Sequence, residues 1–356
     1  MRVNYFTTDI SDASGGAIYD HNFYEILKTI FPDTKLYNDK LFIDRYKKGS
    51  NLLSFNEYYL RCIDELLDCN YLVFNSRLYT RMMFFNIGRK MKRHPNTKLL
   101  VIHHHSNYMN NKGIRRKIHK YFEKRVLECA TELIIPNEFV VDQVKKDFQV
   151  NKIVFLPSSF EKKEYPVSSL DSNYLLFVGN VEPRKGLIYG IRAFKKISRE
   201  FSDLEFHIAG KYDETDSYYQ MLRQYVSDNG LDKKVIFEGR VSNERLEWLY
   251  ANARLFLFPS LLEGYGTVIV EAMGRGVPVV VFNNSAMPYT VKDGVNGLLI
   301  ENKNVEEMAR RTADLLSMSN RTFLLNLQKG ALRTYETVPS QEDLNRLTEE
   351  YIRSWR

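Results

Sequence analysis

Short, nearly continuous apolar runs recur along the chain, separated by longer stretches with helical periodicity. In the first part they cover residues 3–6, 71–74, 99–102, 133–135 and 153–156. In the second they cover 174–178, 204–209, 235–237, 255–258, 277–282 and 298–300. An apolar run without polar alternation suits a strand covered on both faces, as in a parallel sheet sandwiched between helices. Strands of this kind alternating with helices predict an α/β fold made of two doubly wound, Rossmann-like domains. The polar stretch 161–173, with Pro166 and three serines, separates the two series. The expected division is therefore 1–163, 164–338 and a terminal helical segment, 339–356, that follows Pro339-Ser340 and has no strand after it. Ligands in such sheets bind at the carboxyl ends of the strands, here in a cleft expected between the domains.

Composition agrees with this reading. A chain of 356 residues gives two domains enough length to bury a core each. Hydrophobic residues at 44% and charged residues at 27% make a globular balance, and no apolar run reaches bilayer length. The start of the chain reads as a first strand and lacks a secretory pattern. Cys62, Cys69 and Cys129 are odd in number and have no metal-binding spacing, so buried or free thiols in a reducing cytosol are expected. The net charge of +7 is unevenly spread: residues 1–160 hold 25 Lys/Arg against 17 Asp/Glu, and the remainder 26 against 27. Residues 77–125 hold 14 Lys/Arg and a single acid, Glu123. That zone is suited to phosphate groups, an anionic membrane surface or nucleic acid.

The most informative stretch follows the run 255–258, which Pro259-Ser260 closes. Glu263-Gly264-Tyr265-Gly266-Thr267 then leads into an apolar helical pattern in which Glu271 lies about two turns along. Gly264 and Gly266 clear side chains from the start of this helix, where unpaired N–H groups and the helix dipole favour an anion. Carboxylates beside and above an anion site suit a diphosphate flanked by hydroxyl-rich groups, the shape of a nucleotide-sugar. After the run 174–178 comes Gly179-Asn180-Val181-Glu182-Pro183-Arg184-Lys185-Gly186. Arg184 and Lys185 at this turn would clamp a diphosphate, one by a planar fork and the other as a point charge.

In the first domain, Gly15-Gly16 follows the first strand and permits close approach of a phosphate or sugar. His103-His104-His105 ends the run 99–102, which turns at least one imidazole, His103 or His104, toward the reacting sugar or acceptor. Consecutive residues on an extended chain do not converge on one ion, and no Asp-x-Asp pair is present, so no metal is expected. Gly264-Tyr265-Gly266 and Gly274-Arg275-Gly276 both lack the third glycine of a dinucleotide fingerprint, which excludes a dehydrogenase reading.

Together, Pro259-Ser260, Glu263-Gly264-Tyr265-Gly266, Glu271-Ala272-Met273, Gly276, Pro278-Val279-Val280, Glu182-Pro183-Arg184-Lys185-Gly186 and Asp293-Gly294 with Asn296-Gly297-Leu298-Leu299 resemble the signature of the GT-B retaining glycosyltransferases of family 4. The similarity is specific from about residue 174 to residue 300 and architectural before that. Asn180 and Tyr289 depart from residues common in the family, Arg and Glu respectively.

The resemblance implies several roles. Glu271 would bind the ribose and Glu263 the donor-sugar hydroxyls. The backbone of Gly264, Tyr265, Gly266 and Thr267 would meet sugar and phosphates, Arg184 and Lys185 would stabilise the leaving diphosphate, and Val241, Ser242 and Asn243 would lie near the base. Gly16 would face the phosphates, and the last helix would return to the first domain. The implied activity is metal-independent, retaining transfer of a hexose from a UDP- or GDP-sugar, without a cofactor, to a glycan, lipid-linked or phosphate-bearing acceptor in cell-surface polysaccharide or glycolipid synthesis. A nucleotide-sugar epimerase of the same fold and a non-catalytic sugar-nucleotide-binding partner are the alternatives. Between 112 and 130, Ile114, Ile118, Tyr121 and Phe122 recur at helical spacing among Arg115, Arg116, Lys117, Lys120 and Lys124. This pattern predicts a cytoplasmic protein attached peripherally to anionic membrane by charge, with little insertion. Nucleic acid is not expected, since no motif for it is present.

Overall fold

The computed structural model describes residues 1–7, 15–38, 63, 65–76 and 87–355. Cys62 and residues 77–86, which open the basic zone, lie outside that set. The chain forms two compact units, Met1–Lys162 with Pro339–Arg356, and Lys163–Val338.

Unit 1 is built on a six-stranded parallel sheet of order β2-β1-β3-β4-β5-β6. Its strands are β1 (Val3–Thr7), β2 (Lys35–Asn38), β3 (Tyr71–Asn75), β4 (Lys98–Ile102), β5 (Glu132–Ile135) and β6 (Ile153–Phe155). The central strands β1 and β3 are buried at every position, their mostly apolar residues together with Asn4, Thr7 and Asn75, as suits strands covered on both faces. The edge strand β2 was not expected. It has four residues of which only Tyr37 is buried, so its sequence carries no continuous apolar run. Helix α1 (Gly15–Ile30) buries Ala17, Tyr19, Asp20, Phe23, Tyr24 and Leu27, one stripe at helical spacing with an acid inside it. Helices α2 (Ile87–Met91), α3 (Gly113–Leu127) and α4 (Glu138–Asp147) follow, and the Asn137 side chain caps α4 by accepting from the Val140 N–H.

Unit 2 repeats the plan with order β12-β11-β10-β7-β8-β9, all pairs parallel. Its strands are β7 (Tyr174–Val178), β8 (Glu205–Ala209), β9 (Val235–Gly239), β10 (Leu255–Phe258), β11 (Val279–Phe282) and β12 (Gly297–Ile300). The helices are α5 (Leu187–Ile197), α6 (Ser217–Asp228), α7 (Asn243–Ala251), α8 (Thr267–Gly274), α9 (Met287–Thr290), α10 (Val305–Leu316) and α11 (Arg321–Thr337). Both sheets reverse direction of growth once, between β1 and β3 and between β7 and β10. At such a switch point loops diverge at the carboxyl ends and leave a crevice.

The last helix, α12 (Gln341–Arg353), starts with a Ser340–Asp343 capping box and belongs to unit 1. Leu344, Ile352 and Trp355 enter the core formed by Tyr5, Tyr71 and Leu100. The Trp355 ring stacks on Tyr71 at 4.6 Å between centroids, and the Tyr71 hydroxyl donates to the Trp355 carbonyl at 2.6 Å. At the junction, the Phe160 N–H donates to the Pro339 carbonyl and the Gln341 N–H to the Phe160 carbonyl, so the outgoing and returning segments run side by side.

Candidate active site

The turn after β7 and the loop after β10 meet at the switch point of unit 2. Their approach depends on Gly186, which closes the short 3-10 turn Pro183–Lys185 with φ 64°; a Cβ there would lie 2.0 Å from the Pro259 carbonyl oxygen. Only a glycine satisfies both conditions. The Leu261 N–H donates to the Arg184 carbonyl at 2.8 Å, which fixes the two segments to each other.

Glu263 is thereby brought onto Arg184 and Lys185. One carboxylate oxygen, Oε1, accepts from Lys185 Nζ at 2.8 Å, Arg184 Nη1 at 3.1 Å and the Ser260 hydroxyl at 2.6 Å. Glu263 and Lys185 are largely buried, with side-chain exposures of 8% and 14%, whereas Arg184 is 39% exposed. The Glu263 N–H donates to Ser285 Oγ at 3.0 Å, and Asn284 ties the Ser260 carbonyl, so the loop is held from two sides. Residues expected to contact separate parts of a ligand are thus a single ion cluster in this structure.

Gly266 is the N-cap of α8, with φ 84° and no side chain capping the helix. A Cβ at Gly266 would come within 2.9 Å of Met287 Cε, so the position admits no side chain without rearrangement. Gly264, Tyr265 and Thr267 flank it and are half-buried. Glu271 is the fifth residue of α8, little more than one turn along rather than the expected two, because the helix begins only at Thr267. Its carboxylate accepts from the Tyr250 hydroxyl at 3.0 Å, and burial raises its pKa above the usual glutamate value. Val241, Ser242 and Asn243 lie just past the carboxyl end of β9, where Ser242 caps α7 by accepting from the Arg245 N–H.

In unit 1, Gly16 is the second residue of α1, after β1. The three histidines separate. His103 is fully buried, bonded to Ser106, and its pKa is lowered to about 3 by burial, so it is a neutral core residue. The expectation that His103 faces a ligand is corrected: successive residues of an extended chain point to opposite sides. His104 instead lies beside Asp20, with Nε2 and Oδ1 2.8 Å apart and its N–H on Ser76 Oγ. Asn75 holds the other oxygen of Asp20, and Tyr19 meets the imidazole edge-on at 5.4 Å. Because Asn75 pairs with Ile102 in register, this group gathers at the carboxyl ends of β3 and β4.

The sequence motifs single out neither Asp20 nor Tyr250. Asp20 did leave a signal, a lone acid inside the apolar stripe of α1. Tyr250 left none, since a buried tyrosine in a helix looks like any core aromatic.

Residues 137–329 match the family model described as glycosyl transferases, group 1. An uncharacterised glycosyltransferase of Methanocaldococcus jannaschii is 34% identical over 160 residues, covering 45% of this chain and 40% of that protein. The O-antigen chain mannosyltransferase B of Escherichia coli is 33% identical over 138 residues, covering 38% and 35%. The chain spans 33% to 65% of the length of the first curated relatives it matches. Among solved structures, HepE of Anabaena in complex with UDP and glucose shares the fold with a TM-score of 0.75 at 15% identity, covering 99% of this chain and 100% of that one.

Proposed function

The chain belongs to the group 1 glycosyl transferases, and from that premise we propose that it is a metal-independent, retaining hexosyltransferase using a UDP- or GDP-sugar. The observation that carries this reading is the Arg184–Lys185–Glu263 cluster at the switch point of unit 2. Glu263 is ion-paired with both cations. An incoming diphosphate draws Arg184 and Lys185 onto its own oxygens and leaves Glu263 Oε1 for a sugar hydroxyl. As the bond from the anomeric carbon to the phosphate oxygen breaks, negative charge grows on the leaving group, and the two cations stabilise it more strongly than in the ground state. The acceptor oxygen bonds to the anomeric carbon, and its proton passes to the departing phosphate. His104, oriented by Asp20, is the imidazole assigned to the acceptor side.

A glycan, lipid-linked or phosphate-bearing acceptor is supported by the O-antigen mannosyltransferase relative and by the basic zone around α3. Peripheral attachment to an anionic membrane belongs to the same reading. Among the described residues no helix is long and apolar enough to cross a membrane.

The test separates the two glutamates. Calorimetry with UDP and GDP, and hydrolysis of UDP-glucose and GDP-mannose, are measured for Glu263→Ala and Glu271→Ala. Glu271→Ala weakens nucleotide binding. Glu263→Ala leaves it unchanged or tightens it, because Arg184 and Lys185 lose their internal competitor, yet lowers hydrolysis by about 100-fold or more. Equal loss of nucleotide affinity in both variants refutes the assignment, and a wild-type protein that binds nucleotide-sugars without any turnover favours the silent-partner alternative.

A further inference from the structure

Tyr250, on α7, is fully buried, and its hydroxyl lies 3.0 Å from Glu271 Oε2 and 3.4 Å from the Val268 carbonyl oxygen. Burial first, and then the neighbouring carboxylate, hold its pKa well above the ordinary tyrosine value, so the phenol is a proton donor. The shorter contact is the charge-assisted one, to the carboxylate. Arg275, the cation next to this pair, is committed elsewhere. Its Nη1 donates to the backbone carbonyl of Glu271 at 2.7 Å, its Nε to Glu247 at 2.8 Å, and its Nη2 also to Glu247. Its guanidinium face lies 3.7 Å from the Tyr165 ring centroid and 4.7 Å from that of Tyr250. Among the described residues, then, Tyr250 supplies the one side-chain hydrogen bond to the Glu271 carboxylate.

We propose that Tyr250 is a positioning residue for ribose recognition: its hydroxyl fixes one oxygen of Glu271 so that the other accepts from the ribose hydroxyls, and this sets the preference for ribonucleotide over deoxyribonucleotide donors. The inference rests on the reading of Glu271 as the ribose contact. An unfixed carboxylate at the end of a rotatable side chain must lose rotamer freedom when the ligand binds, whereas one already held by a buried phenol is preorganised. The ring of Tyr250 serves a separate purpose, packing against Arg275 and Phe256. Removing only the hydroxyl therefore isolates the positioning effect.

The experiment is calorimetry on the full chain with UDP and GDP and their 2′-deoxy and 3′-deoxy counterparts, for wild type, Tyr250→Phe, Glu271→Ala and the double variant. Wild type binds its ribonucleotide more tightly than the deoxy forms. Tyr250→Phe weakens the ribonucleotide by about tenfold, the size of one charge-assisted hydrogen bond, and weakens the deoxy forms, each of which keeps one ribose hydroxyl, by less. In the Glu271→Ala background the same change has no further effect on the ratio. An equal loss on ribo and deoxy forms marks a merely structural tyrosine and overturns the proposal. A full ratio retained in Tyr250→Phe overturns it while the reading of Glu271 stands; no ratio in wild type, with Glu271→Ala binding normally, overturns both. If Tyr250→Phe does not fold, 3-fluorotyrosine introduced at position 250, a stronger donor of the same shape, raises the ratio, and an unchanged ratio counts against the proposal.

Discussion

Two buried ionisable side chains of unit 1, His103 and Glu123, tilt its stability in opposite directions. His103 has its pKa lowered by burial to about 3, against about 6.5 in an unfolded chain. Below about pH 6.5 the unfolded chain takes a proton that the native imidazole refuses, so stability falls with falling pH until about pH 3. Glu123 is the reverse: burial pushes its pKa up to about 8, although the Tyr108 N–H donates to Oε1 at 2.9 Å. Above about pH 4.3 the unfolded carboxyl loses its proton while the native one keeps it, so stability falls with rising pH until about pH 8. Between about pH 4.3 and 6.5 the two effects oppose each other, and together they give a plateau there with a decline on each side. Chemical denaturation of unit 1 across this range checks the shape. Glu123→Gln keeps the acceptor for Tyr108 and removes the charge, and is expected to flatten the decline between about pH 6.5 and 8. An unaltered decline in that variant rejects the assignment to Glu123. His103 and His104 also mark what adjacency in the chain cannot tell: only the packing around β4 shows that His103 is buried while His104 lies beside Asp20.

At the scale of elements, nearly every strand was legible, because an unbroken apolar run has no other comfortable place than a two-sided sheet. What the pattern could not convey was which face of a helix meets the core. In α3 the apolar set Ile114, Ile118 and Tyr121 is exposed, at 69%, 40% and 55%, and the buried face is made by Glu123, Val126 and Leu127. A burial tally drawn from hydrophobicity alone would have inverted this helix. The same observation bears on the proposed membrane attachment. The three apolar side chains recur at i, i+4 and i+7 and so share one narrow arc, with exposed Arg115, Arg116 and Lys117 on the same two turns. That arrangement matches a helix lying in the interface with an apolar ridge inserted, rather than charge contact with little insertion. The expected outcome is that Ile114→Ser with Ile118→Ser weakens sedimentation with anionic vesicles at least as much as Arg115→Ala with Lys117→Ala does. Binding by wild type to neither anionic nor neutral vesicles removes the membrane reading, and full binding by the serine variant restores a purely electrostatic one. The Glu271–Tyr250 contact belongs to the same class of hidden information, since it joins α8 to α7 across residues that no local spacing relates.

For the molecule as a whole, removing residues 339–356 tests the division into units. Ile352 and Trp355 fill the core of unit 1, and each large side chain lost from such a position costs about 2–5 kcal/mol. The chain ending at Val338 is expected to bind UDP or GDP with near-normal affinity through unit 2 while unit 1 becomes sensitive to protease. Loss of nucleotide binding together with an intact unit 1 contradicts that division. The side-by-side passage of Phe160 and Gln341 has a consequence for synthesis. Unit 2 is continuous in sequence, but unit 1 is interrupted by it, so the first 162 residues leave the ribosome without the helix that completes their core. Domains commonly fold in order from the N-terminus as translation proceeds. Here the later-made unit can finish first, and the earlier-made one completes its core only after residues 339–356 have been made.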